Sequence, residues 1–171
     1  MKKTFGVLLL AIGMLWGGLF PPAATAGVLE NFAENKVVDA LLRAQAIGTP
    51  ATWYVALNTD VCTEGAAETE VTGGSYARVA ITAGLTQFAG TQSAGSTTAS
   101  SGTGGTTSNN AVITFPTSSA AWGTLTSVTL MDASTAGNEW ICIDLTSTFN
   151  VSAAGITVSF PAASLQFQID N

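Results

Sequence analysis

Glu70-Val-Thr-Gly-Gly-Ser-Tyr-Ala-Arg-Val-Ala-Ile-Thr82 holds a paired glycine followed by a strictly alternating run, and this combination points to a β fold. Gly73 and Gly74 permit positive φ in a tight connection. The residues after them alternate, with Tyr76, Arg78, Ala80 and Thr82 on one face and Ala77, Val79 and Ile81 on the other, so a turn feeding a strand over 76–83 is expected. Nothing in the stretch is chemically reactive. It specifies architecture, and Arg78 is expected to pair with a nearby carboxylate or an acidic neighbour.

Working outward, the chain downstream of Pro50 reads as a succession of short β segments. They are Thr52–Asn58, 76–83, Ala111–Phe115, Trp122–Met131, Glu139–Leu145, Phe149–Val151, Ile156–Phe160 and Leu165–Ile169. Asp132-Ala-Ser-Thr-Ala-Gly-Asn138 carries turn chemistry and makes 122–145 a hairpin. About eight strands at this spacing predict an antiparallel β-sandwich over 50–171. Within it, Ala89–Asn110 has no charged or large apolar residue, and such a stretch cannot offset its ordering entropy by burial, so a flexible Ser/Thr/Gly-rich loop is expected.

Upstream, Leu29, Phe32, Val37, Ala40, Leu41 and Ala44 recur at helical spacing, with Glu30 and Glu34 early and Arg43 late. That order complements a helix dipole and predicts one amphipathic N-terminal helix over 27–48, stopped by Gly48 and Pro50. Residues 1–26 combine Lys2-Lys3, an apolar run from Phe5 to Phe20 and small residues at Ala24 and Ala26, the pattern of a secretory signal cleaved after Ala26. The run is shorter than the ~20 residues that span a bilayer, so no stable membrane anchor is expected. The alternative is a retained hydrophobic arm.

Composition limits the chemistry. The chain of 171 residues has no histidine, so Ser-His and Cys-His catalysis and histidine metal sites are excluded. Its net charge is −6, and beyond the first three residues its only cations are Lys36, Arg43 and Arg78, which leaves no basic patch for a nucleic-acid backbone. Glu68 and Glu70, or Asp60 and Glu64, are carboxylate pairs on paper, but neither lies in an aromatic sugar cleft or at calcium-loop spacing. No catalytic, cofactor or metal residues are therefore assigned. Cys62 and Cys142, the only cysteines, either pair across a long loop, as is common in exported proteins, or remain as buried thiols.

The residue order also resembles a known family. Leu29-Glu-Asn31, Lys36-Val-Val-Asp-Ala-Leu-Leu-Arg43, Pro50-Ala-Thr-Trp-Tyr-Val-Ala-Leu57, Glu70 to Ala80, Phe115-Pro116, Ala121-Trp122-Gly123-Thr124 and the turn from Asp132-Ala133 to Gly137-Asn138 are similar to those of small tailed-bacteriophage virion structural proteins. The resemblance covers nearly all of residues 28–170. It implies a non-enzymatic subunit of a virion or virion-like assembly, a tail component or capsid decoration, whose partners are copies of itself or other structural subunits. The 89–110 loop is longer than the family pattern. The signal-like leader suits a secreted bacterial surface protein, adhesin or filament subunit, which stands as the alternative.

Overall fold

The computed structural model describes residues 27–101 and 105–168, and the leader over 1–26 lies outside them. Its framework is a five-stranded antiparallel sheet in the order β1-β7-β6-β2-β3, built from β1 (Val28–Leu29), β2 (Thr52–Asn58), β3 (Val79–Thr82), β6 (Gly123–Met131) and β7 (Glu139–Val151). Two short antiparallel ribbons face it: β4 (Thr106–Ser108) with β9 (Gln166–Gln168), and β5 (Ile113–Thr114) with β8 (Ser159–Phe160). The core lies between these layers. Val55, Leu57, Val128, Ile143 and Val151 from the sheet meet Phe115, Val158, Phe160, Leu165 and Phe167 from the ribbon side. Alternation along β2 and β6 delivers this apolar face, so the expected β-sandwich with one N-terminal helix is the fold observed.

Several boundaries differ from the sequence reading, each for a local reason. The helix α1 covers only Asn31–Leu42. Before it, β1 pairs with the outer edge of β7, Val28 opposite Cys142 and Leu29 opposite Ile141. At its other end Ala44 adopts φ 54°, a left-handed conformation that ends the helix ahead of Gly48. The second strand begins at Val79, not at 76, because Gly73, Gly74 and Ser75 all have positive φ and the Tyr76 N–H is spent on the Gly73 carbonyl at 2.8 Å. Tyr76 therefore lies in the turn, outside the strand, and its ring packs against Phe115 and Trp122.

The two segments expected as 139–145 and 149–151 are one strand, β7. Leu125 pairs with Phe149 and Ser127 with Asp144, so residues 145–148 stand opposite Thr126 alone in a bulge that the ladder survives. The 89–110 segment, expected as a plain flexible loop, contains β4 within its described part. Backbone pairing with β9 supplies what the small side chains cannot. Asn109, 1% exposed, then anchors it: its amide donates to the carbonyls of Ala111 and Pro161, and its Oδ1 accepts from Leu165 N at 2.9 Å.

The other face of the main sheet mixes polar side chains with Ala56, Trp140 and Cys142, which lie outside the core cluster. Asn58 is buried and donates to Ser127 Oγ and Thr129 Oγ1 across the β2–β6 pairing. The acidic 59–70 loop folds over it, held by Thr69 N to the Asp60 carboxylate at 2.8 Å and Ser127 Oγ to the Asp60 carbonyl at 2.7 Å. Among the described residues no helix is long and apolar enough to cross a membrane.

Candidate functional site

Three features gather the reactive or exposed side chains. The first grows from the two-glycine turn. Arg78 grips the Glu70 carboxylate with both ends of its guanidinium, Nε to Oε1 at 2.8 Å and Nη2 to Oε2 at 2.7 Å. Its Nη1 donates to the carbonyls of Ala133 and Ala136, each at 2.7 Å, tying this loop to the β6–β7 turn. Tyr76 Oη donates to Glu70 Oε1 and accepts from Leu57 N. Burial, followed by the Glu70 charge, pushes the Tyr76 phenol well above its ordinary range, and the Glu70 hydrogen bonds hold Arg78 above its own. A concavity of about 560 Å³ opens beside this network, but its two charged groups, Glu70 and Arg78, already neutralise one another. The arrangement is a brace.

The turn itself is prepared for that brace. Asp132 accepts from Asn138 N at 2.7 Å and from Trp140 Nε1 at 3.3 Å. Burial alone would raise its pKa, but the Asn138 and Trp140 donors outweigh burial and hold the carboxyl below its ordinary value.

The second feature is an acidic cluster on the face of the sheet opposite the core. Cys62 and Cys142, the two sequence candidates, are brought together with sulfurs 2.06 Å apart and Cα atoms 5.6 Å apart. Cys62 N also donates to Asp144 Oδ1 at 2.9 Å, which pins the acidic loop over β7. Glu68 lies close to both sulfurs, but sulfurs joined to each other are not thiolate ligands. Around this staple stand Glu30 at the entry to α1, Glu68 in the loop and Glu139 at the start of β7. Glu30 is only 5% exposed. It makes no side-chain cap to its helix, and its Oε2 instead accepts from Gly65 N at 3.3 Å.

Glu68 and Glu70, paired on paper, are separated by the structure. Glu70 faces Arg78, while Glu68 joins the cluster and accepts from Thr63 N at 2.9 Å. Asp60 is taken up by the Thr69 backbone. Glu30 and Glu139 were missed as site residues, since only the β1–β7 pairing and the docking of the loop bring them into one neighbourhood. The sequence signal available was the scarcity of cations to match them.

The third feature is on α1. Ala33 is buried and Phe32 packs edge-on against Trp140 at 5.3 Å, so the first turns dock onto the sheet. The last turn does not. Val38, Leu41 and Leu42 are 49%, 77% and 80% exposed, although Leu41 belongs to the expected apolar stripe. Arg43 is committed to Asp39 at 2.8 Å.

A family model described as Podophage GP4 fiber I protein gp80 matches residues 29–168. No curated protein matches the chain significantly. The family match runs from the edge strand through the helix and both layers of the sandwich to the last described strand, so the chain belongs to the podophage GP4 fiber I (gp80) family and is a structural protein of the tailed-phage virion.

Proposed function

We propose that the chain is a non-enzymatic tail-fibre subunit that associates with further copies of itself through the exposed end of α1. The observation that carries the virion role is the family match over 29–168. Self-association is supported by Val38, Leu41 and Leu42, which form an apolar edge on a helix whose opposite face is already docked. Apolar residues clustered on an exposed helix end suit an interface. Few charges oppose such packing in a chain with only 9% charged residues, and a repeated subunit is what a fibre requires. A capsid-decoration role would use the same surface against a different neighbour.

Sedimentation of the purified chain tests this directly. The wild type is expected to form a concentration-dependent oligomer, and the double substitution Leu41→Glu with Leu42→Glu is expected to give monomer with an unchanged circular dichroism spectrum. A wild type that stays monomeric at high concentration contradicts self-association. The cysteine pair and the signal-like leader favour a second reading, an exported form of the same domain. N-terminal sequencing separates the two, since a mature start at Gly27 supports export and an intact Met1 or Lys2 contradicts it.

A further inference from the structure

Among the described residues, the buried side-chain oxygens without a hydrogen-bond partner include Glu30 Oε1, Glu68 Oε2 and Glu139 Oε1. An orphaned buried carboxylate oxygen is costly, and three in one neighbourhood call for a common explanation. The other oxygens of Glu30 and Glu68 are accounted for, each anchored by a backbone N–H from the acidic loop, Gly65 N and Thr63 N respectively. Glu68 and Glu139 line the same small cavity, and a hydrogen bond between their carboxyl groups is among the causes that raise Glu139. Two carboxylates cannot hydrogen-bond unless one of them carries a proton, because an ionised carboxylate only accepts. A single shared proton therefore converts a repulsive contact into a bond.

A metal ion is the other way to neutralise such a group, and the geometry disfavours it. The grouping of donors within 4.8 Å that contains Glu68 joins it to Cys62 and Cys142, not to Glu30 and Glu139, so the three carboxylates do not converge on one point. Basic groups offer little help. Arg78 lines a cavity of about 180 Å³ with Glu68 and Glu139, but its guanidinium is engaged by Glu70. Other charges near the cluster are acidic too: Glu64 from the loop and Glu34 from the first turn of α1 both act on Glu30, and Asp144 of β7 accepts from Cys62 N at the staple.

We propose that Glu30, Glu68 and Glu139 form a proton-dependent latch that holds the β1–α1 unit against the β7 end of the sheet, closed while the cluster holds a proton and loosened when all three groups ionise. Each residue sits on a different segment, and these segments are the N-terminal unit, the acidic loop and β7. Separation of the first from the other two relieves the repulsion. Burial above all, then the Glu68 contact and the charges of Glu68 and Glu30, pushes the Glu139 carboxyl up from 4.5 to about 9. Burial likewise raises Glu30.

The sign follows from proton linkage. The closed form binds the proton more tightly than the open one, so its advantage is complete below about 4.5, falls as pH rises and is gone above about 9. Loosening is thus an alkaline event. Opening of one such group grows up to about tenfold per pH unit within that window, less here because Glu139 keeps some solvent contact.

Hydrogen exchange of the amides over 32–42, corrected for intrinsic base catalysis, tests the latch. In the wild type, opening is expected to increase at least tenfold between pH 5.5 and 8.5 relative to amides in the centre of β6. In Glu139→Gln, whose carboxamide donates to Glu68 without ionising, the increase is expected to fall below about twofold. Glu68→Gln provides the same test if the first variant folds poorly. An equal pH response in wild type and variants overturns the proposal, as does a flat wild-type response. Suppression of the alkaline opening by millimolar calcium would replace the proton with a cation and overturn it as well.

Discussion

Arg78 ties two loops together, because one guanidinium closes on Glu70 and on two carbonyls of the distant 132–138 turn. Its side chain is 8% exposed, and removal leaves Glu70, at 28%, with an unbalanced charge and the two carbonyls without their donor. Arg78→Ala is therefore expected to cost about 3 kcal/mol, toward the low end for a broken buried pair because Glu70 retains some water. Arg78→Lys restores charge but not the fork, so it should recover only part of that loss. Urea denaturation checks both, and an Arg78→Ala midpoint within error of wild type contradicts the brace. The sequence foretold that Arg78 would meet a carboxylate, but not which one, because Glu68 and Glu70 are equivalent until the turn places them.

The turn at the scale of the element shows why. Gly73 and Gly74 both have positive φ, but a Cβ at Gly73 meets nothing within 4 Å, whereas one at Gly74 would lie 2.8 Å from Trp122 Nε1. Gly73→Ala should then cost only the left-handed strain of about 1–2 kcal/mol, and Gly74→Ala distinctly more, with the Trp122 indole bond to the Gly74 carbonyl disturbed. Equal midpoints in thermal melts would contradict this difference. The paired glycine, the apolar run of β2, the alternating run of β6 and the Asp132–Asn138 turn were legible because each is a local signal. The short β1 and β4 were not, since Val28–Leu29 and Thr106–Ser108 become strands only by pairing with β7 and β9 far along the chain. The same dependence on distant pairing hid the grouping of Glu30, Glu68 and Glu139.

Over the whole molecule, Cys62 and Cys142 link the acidic loop to the central sheet across a sequence separation of 80 residues. A closed loop of that length is expected to add roughly 4–5 kcal/mol through the unfolded chain, so reduction should lower the unfolding midpoint markedly. Thiol titration of the unfolded, non-reduced protein is expected to find no free thiol, and two would contradict the pairing. The fold class and the virion family were readable from residue order, while the exposed end of α1 was not, because its periodicity promises a fully docked helix and only the structure leaves Leu41 and Leu42 uncovered. The proposed role makes this sandwich a repeated structural part of a tail fibre. Quantitative mass spectrometry of gradient-purified phage particles measures that most directly: peptides from residues 29–168 at several copies per particle are the predicted result, and their absence from intact particles would contradict the account.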